Sequence, residues 1–562
     1  MSATDDEGTA GPETQLTMPL PHANLARSRR RCRISPAAIA MLLAPGCGNS
    51  PAPVQPATTP TTSAQPSPDE AVDATIRPQV VQFCGGCHGV PSPDTFPRDA
   101  WYDEVEQGFG FYYTSGRQDL DPPSMQDVVR YYRSLAPAEW QLPPTVIPSS
   151  DSPVPFRKQL IPKPDPHKSS GVAHVRWWVP ADQAGVLLVC DMRVGLVSQL
   201  DFNGPEFTQV EIAEVPHPAH VEPTDLDADG RPDFLVADLG SFEPADHQRG
   251  QVVWLRQSTP GAGWESSVLA RDLGRVADVQ PGDFDRDGDL DLVVAEFGWR
   301  TTGHILLLEQ TAPTDTGLPA FEPRQIDHRH GTIHVPVTDL DGDGRLDFVA
   351  LISQEHETVE AFFGNGEGRF EPKAIFAAGD PSYGSSGIEL VDMDHDGDLD
   401  ILYTNGDSLD SLYLKPFHSI QWLENTGTFP FTRHLITRMP GVYRARAADL
   451  DGDGDLDVVA SAAFGYKSQE SRAASGVGNT PMFSLVWLEQ KTPSEYVQHP
   501  LATIDEAGYI ALEVGDFDSN GTIDIAAGQF ASPTQSGNGW LTVWWNDGMS
   551  RAPGVPAPSA PQ

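Results

Sequence analysis

The sequence predicts a mainly β chain, a seven-bladed β-propeller over 155–547 preceded by a small all-α unit over 71–140. Three observations carry this. A nine-residue acidic loop occurs six times, starting at Asp225, Asp283, Asp339, Asp392, Asp449 and Asp516. Successive starts lie 58, 56, 53, 57 and 67 residues apart, the period of a repeat whose unit is a four-stranded blade. Each loop runs into a β-rich apolar segment (FLVADLG, LVVAEFG, FVALIS, ILYTNGD, VVASAAFG, IAAGQF). A second apolar strand, often with Trp (QVVWLRQ, SIQWLENTG, LTVWWND), and a short Phe- or Tyr-led strand follow.

The loop has the spacing of a hard-cation site. Oxygen side chains stand at positions 1, 3, 5 and 9, with glycine at 6 for the sharp turn. The ligand candidates are Asp225, Asp227, Asp229 and Asp233; Asp283, Asp285, Asp287 and Asp291; and Asp339, Asp341, Asp343 and Asp347. The remaining loops offer Asp392, Asp394, Asp396 and Asp400; Asp449, Asp451, Asp453 and Asp457; and Asp516, Asp518, Asn520 and Asp524. An EF-hand would need a bidentate Glu at position 12 and a following helix. No copy has a Glu there, and each continues as a strand, so these are expected to be calcium loops between strands, up to six Ca²⁺ in all.

A first unit, VAHVRWWVPADQAGVLLVCDM, has the strand pattern but carries VPADQAG in place of the loop. The final unit ends at VWWNDGMS without an outermost strand, and PFRKQLIP near 155–162 reads like the outer strand PFTRHLIT at 430–437. The N-terminal segment is therefore expected to complete the last blade, because an open ring would leave two unpaired sheet edges. Loop and strands in phase over 155–547 resemble the FG-GAP/VCBS-type repeats of calcium-bearing seven-bladed propellers, the integrin α-subunit propeller among them.

Ahead of the propeller stands Cys84-Gly-Gly-Cys87-His88, the pattern of c-type haem attachment. Two thiols at this spacing reach the two vinyl groups, and the adjacent imidazole becomes an axial iron ligand. A redox CxxC would need a βαβ context, and a zinc site would need further Cys or His that 71–154 lacks. FPRDAWYDEVEQGFGFYY and SMQDVVRYYRSLAP read as helices. The second resembles the closing helix of class I cytochromes c, which packs on the N-terminal helix, so one covalent haem c is expected. Met125, the only Met of this unit, is the candidate second axial ligand. It stands at the helix's first turn rather than in the preceding loop, which leaves open core packing for Met125 and a five-coordinate iron near Tyr112 and Tyr113.

Arg27, Arg29, Arg30, Arg31 and Arg33 precede ISPAAIAMLLA and Pro45-Gly46-Cys47, the order of an export signal. It resembles a bacterial lipoprotein signal with Cys47 as the lipidated residue, departing from that pattern in having Ala44 three before the Cys. Residues 1–47 are thus expected to direct export and 48–70 to form a Pro/Thr/Ser tether. A second linker is expected over 141–154 and a tail over 548–562. Cys190, alone in VLLVCDM, reads as a small core residue.

The net charge is −42, and 26 of the 79 acidic residues sit in the six loops. That balance excludes a nucleic-acid partner, which needs a basic stripe. No nucleophile elbow, zinc-protease helix or phosphate loop stands out. Recurrent polar residues (Asp238, Glu296, His356, Asp407, His220, His334, Arg444, Arg446) are expected around the central channel. The sequence thus points to an extracytoplasmic, membrane-tethered c-type haem electron-transfer protein serving a redox partner protein or enzyme, with the propeller as a calcium-stabilised platform. Two other readings make the propeller a dehydrogenase-like catalyst feeding the haem, or an adhesion or ligand-binding module with an accessory haem.

Overall fold

The computed structural model describes residues 68–140, 142–143, 152–181, 183–204, 206–259, 261–312, 318–409, 413–463, 475, 481–530 and 539–548. The segment read as an export signal, with Cys47, the part of the expected tether before residue 68 and the expected tail beyond 548 lie outside the described residues. Among the described residues no helix is long and apolar enough to cross a membrane.

Seven antiparallel sheets form the propeller. In each, the second strand is buried at every or nearly every position, from Val186–Asp191 in blade 1 to Asp524–Gln529 in blade 7. The reason is the two-residue period of a strand sandwiched between neighbours. In blade 1, Leu187 and Val189 join the core shared with blade 7, whereas Leu188 and Cys190 join the core shared with blade 2. Cys190 is fully buried there, as a small core residue should be. Seven such apolar clusters link blades 1–2, 2–3, 3–4, 4–5, 5–6, 6–7 and 7–1. Large aromatic side chains from the third strands fill them, Trp254, Trp487 and Trp544 being almost wholly buried.

The ring closes through Phe156–Pro162, which pairs antiparallel with Gly539–Asn546 from Phe156 opposite Asn546 to Pro162 opposite Gly539. This is the closing strand expected from the likeness of 155–162 to 430–437. In blade 1 the strands Val172–Trp178 and Val186–Asp191 pair without the acidic loop between them. In blade 4 the inner strand splits into Thr332–His334 and Val337–Thr338, because Pro336 has no N–H to give the ladder.

Before the propeller come three helices, α1 (Pro68–Cys84), α2 (Trp101–Thr114) and α3 (Met125–Leu135), with a 3₁₀ turn at Pro93–Thr95. Helix α1 begins at Pro68, inside the stretch read as tether. Helix α3 packs on both others. Its apolar face meets them through Val128, Tyr131 and Tyr132, the last stacked on Trp101 at 3.9 Å. The segment between the two units is anchored at its ends. Leu142 packs against Leu414, Met482 and Ile504, and Val154 is buried in the core of blades 6 and 7.

Ring closure has a measurable weight. Ile161 is fully buried and Leu160 is 50% exposed on the same strand. Ile161→Ala should lower stability by about 2–5 kcal/mol, and Leu160→Ala by no more than about 0.5 kcal/mol, read from urea midpoints.

Candidate functional site

The acidic loops join the first and second strands of blades 2 to 7, so all six lie on one face of the ring. Their backbone is the same throughout. The position-6 glycines, Gly230, Gly288, Gly344, Gly397, Gly454 and Gly521, all have positive φ, the conformation only glycine adopts without strain. Position 4 is left-handed as well, in Ala228, Arg286, Gly342, His395, Gly452 and Ser519. The sequence pattern gives no hint of that, since four of the six are not glycine.

In five loops the position-1 carboxylate accepts the backbone N–H groups of positions 5 and 6, as Asp225 does from Asp229 and Gly230, both at 3.0 Å. The same pairs recur at Asp339, Asp392, Asp449 and Asp516. The loop at Asp283 differs: Asp283 Oδ1, Asp289 Oδ1 and Asp291 Oδ2 are buried without a partner.

Position 9 has a role the spacing did not reveal. It is the first residue of the second strand and is almost wholly buried in all six copies. One oxygen of Asp347, Asp400, Asp457 and Asp524 accepts the position-2 N–H at 3.0–3.2 Å. The other accepts an N–H near or just past the end of the third strand at 2.7–2.8 Å. Burial first, and then the neighbouring carboxylates, push Asp233 and Asp291 up to about 6, and Asp457 and Asp524 up to about 7.

Carboxylate oxygens gather within 4.8 Å of one another in Asp225–Asp227–Asp229, Asp283–Asp285–Asp287, Asp339–Asp341–Asp347 and Asp392–Asp394–Asp400. Such all-oxygen donors, with unpartnered buried oxygens among them, fit a hard divalent cation. In blades 2 and 4 Arg231 and Arg345 pair with the position-5 Asp229 and Asp343.

The channel is lined by the inner strands. Each has a register shift after its first residue. Two layers of equivalent positions follow: His174, His220, Asp278, His334, Gly387, Arg444 and Ala511, then Arg176, Glu222, Gln280, Pro336, Glu389, Arg446 and Glu513. The first layer makes a run of contacts. The His174 and His220 rings stack at 4.1 Å, His220 Nε2 lies 3.3 Å from Asp278, and Arg444 donates to His334. In the second layer Arg176 meets Glu222 at 3.1 Å, and Arg446 meets Glu389 and Glu513 at 3.4 and 3.5 Å.

Burial would raise the Asp278 carboxyl, but His220 and His334 beside it hold it well below the usual carboxylate range. Burial, reinforced by Arg444, lowers His334 to about 4. The channel groups thus satisfy one another. His220, His334, Arg444 and Arg446 converge here as expected, but Asp238, Glu296, His356 and Asp407 do not. Asp238 and Glu296 end their strands on the opposite face and accept loop N–H groups from His217 and Gly274. Asp407 accepts the Tyr443 hydroxyl, and His356 joins His330 and Glu355.

That opposite face also carries the helical unit. Asp380, between blades 4 and 5, accepts the Ser92 N–H at 2.9 Å and the Thr95 hydroxyl. Tyr413 packs edge-on against Phe96 and Trp140, Lys415 lies over Phe96, and Arg300 over Phe111 at 3.5 Å. A Cβ on Gly89 would fall 2.4 Å from the Gly379 carbonyl oxygen, so only glycine permits this approach.

Cys84, Cys87 and His88 leave the C-terminal end of α1. Cys84 is half-buried against the helical core, beside the Tyr132 hydroxyl, which is buried without an oxygen or nitrogen partner. Burial pushes the Cys84 thiol up to about 11. Cys87 is exposed and accepts from Arg117 at 3.0 Å. His88 Nδ1 lies 2.6 Å from the Gly89 carbonyl oxygen. A carbonyl only accepts, so Nδ1 is the donor here, which leaves Nε2 as the nitrogen open to a metal. Met125 is half-buried against the same core as Cys84. Tyr112 donates its hydroxyl to Leu120 at 2.9 Å, and Tyr113 is 63% exposed. The donor set fits covalent haem attachment.

The FG-GAP-like repeat model matches residues 225–294, 339–403 and 405–460. These windows take in five of the six acidic loops and leave out the one at Asp516. No curated protein matches the chain. Among solved structures it is similar to the biofilm matrix protein Bap1 of V. cholerae, with 10% identity, a TM-score of 0.36, and coverage of 70% of this chain and 91% of that one. The chain thus carries FG-GAP-like repeats on a seven-bladed propeller, an architecture suited to a binding or adhesion platform.

The channel predicts an acid sensitivity. A neutral His334 whose folded pKa is depressed stabilises the fold fully above the reference value of 6.5, and that stability is lost as pH falls toward about 4. His334→Gln should therefore lose less stability than wild type over this window, by on the order of 2 kcal/mol, measured by urea unfolding at each pH.

Proposed function

We propose that the chain is an extracytoplasmic electron-transfer protein in which the helical unit holds one haem c and the propeller serves as its calcium-stabilised platform. The observation that carries this reading is Cys84-Gly-Gly-Cys87-His88 at the end of α1, with Nδ1 of His88 committed to the Gly89 carbonyl. Cys84 and Cys87 would hold the porphyrin through thioethers, and His88 Nε2 would ligate the iron, with Met125 as the candidate for a further ligand. A haem so held supplies a one-electron couple. The aromatic core around Phe83, Phe109 and Tyr112 would keep water from one side of it.

Docking on the propeller face ties the position of this unit to the ring, so the ring would determine which partner surfaces reach it. Calcium in the six loops would neutralise carboxylates that repel one another and couple metal binding to folding. Export through the N-terminal segment, and a lipid anchor at Cys47, would place the protein at a membrane surface with a redox protein or enzyme as partner. The FG-GAP-like repeats favour a second reading, a ligand-binding platform for which the haem is accessory.

The absorption spectrum of protein exported from a host with c-type maturation tests the first reading. Wild type should retain a covalent haem with a sharp reduced α band. The double variant Cys84→Ala, Cys87→Ala should lose it, and Met125→Ala should lose a methionine–iron charge-transfer band. Wild type without haem after maturation would leave the platform reading alone. Separately, chelating calcium should lower the melting temperature of the propeller and leave the haem spectrum unchanged. An unchanged melting temperature would remove calcium from the account of stability.

A further inference from the structure

On the face opposite the acidic loops, two segments of blade 4 meet. One is the connection into the blade (328–331), and the other is the turn between its second and third strands (353–357). They bring His330, Glu355 and His356 together, so that one ligand atom of each lies within 4.8 Å of the others. His330 Nε2 is 2.8 Å from Glu355 Oε2, and the two imidazole rings stand edge to face at 5.5 Å. All three side chains are half-buried.

The backbone here is specialised. Gln354 and Glu357, bracketing the Glu355-His356 pair, both have positive φ, a conformation that side chains other than glycine adopt at a cost. Gly331, also at positive φ, lets the connection close on the turn, since a Cβ there would lie 2.8 Å from the Ser353 carbonyl oxygen. The neighbouring charges are engaged elsewhere. Arg329 is held by Asp327 and Glu360 at 2.7–2.8 Å, and Glu357 accepts the Gly384 and Ser385 N–H groups.

We propose that His330, Glu355 and His356 form a binding site for a divalent first-row transition metal of the zinc class, on the propeller face that carries the helical unit. Two imidazoles and one carboxylate select such an ion over calcium, which takes oxygen ligands alone. Three protein donors leave at least one position open for water or a substrate. This sets the site apart chemically from the acidic loops on the far face, and it does not depend on the haem reading.

The test is Zn²⁺ binding to exported, untagged full-length protein, dialysed with millimolar Ca²⁺ so that the acidic loops are saturated. Wild type should keep one Zn²⁺ per chain, and zinc-edge X-ray absorption should show imidazole scattering from two histidines. His330→Ala and His356→Ala should each weaken that binding by about tenfold or more while keeping the calcium-dependent melting of wild type. No Zn²⁺ retained by wild type would overturn the proposal, leaving His330 and Glu355 as an ion pair only. An all-oxygen shell around the zinc, or full retention in both folded variants, would overturn it too. If the variants fail to fold, the absorption spectrum of wild type decides the question.

Discussion

The propeller rests on a carboxylate buried at the head of each second strand in six of its seven blades. In most copies one oxygen receives an N–H from the acidic loop and the other an N–H near or just past the end of the third strand, so a single side chain fixes a loop and two strands at once. Hiding a charge from water is costly unless it is paired, and the elevated pKa of these groups reflects that cost. Sequence supplies the compensation in the same nine residues: backbone donors turned inward by left-handed positions 4 and 6, and further carboxylates poised for a cation. The apolar residue at position 2, such as Leu226, Leu450 or Phe517, enters the core as the loop closes. Acidic cluster, turn and hydrophobic anchor are thus one unit, repeated.

A propeller of this kind has two unlike faces, and the chain uses them differently. The acidic loops occupy one. The other carries the helical unit, held by Asp380 and the aromatic contacts of Tyr413, together with the His330 cluster. Glu104 at this junction is raised to about 7 by burial, which the buried Lys415 opposes. The junction is therefore a partly desolvated surface, in which Asp380 takes hydrogen bonds from Ser92 and Thr95, unlike a loose tether between independent domains.

Much of this was legible in the sequence, for reasons that differ by element. The blade count followed from a loop recurring in phase with strands, and the closing strand from the likeness of 155–162 to 430–437. Helices α2 and α3 followed from apolar periodicity, whereas the start of α1 lies in Pro-rich sequence that reads as tether. What escaped was set by three-dimensional register. Whether a polar residue faces the channel depends on which strand of the blade carries it, so His220 and Arg444 were placed there correctly, while His356 and Asp407 were not. Nothing local marks Asp380 as an interdomain acceptor, because its partners Ser92 and Thr95 lie nearly 300 residues away. His330 was overlooked because its partners come from the next hairpin and only the blade's geometry brings them together.

The strand that closes the ring also sets the order in which the molecule can be completed. Phe156 pairs with Asn546, a separation of 390 residues, so the contact that joins the last blade to the first belongs to the least local class. During synthesis blades 1 to 6 can form as hairpins close to the ribosome, but the strand over 156–162 must wait for almost the whole chain to emerge. Until then the growing arc presents bare sheet edges, the surfaces most open to wrong pairing.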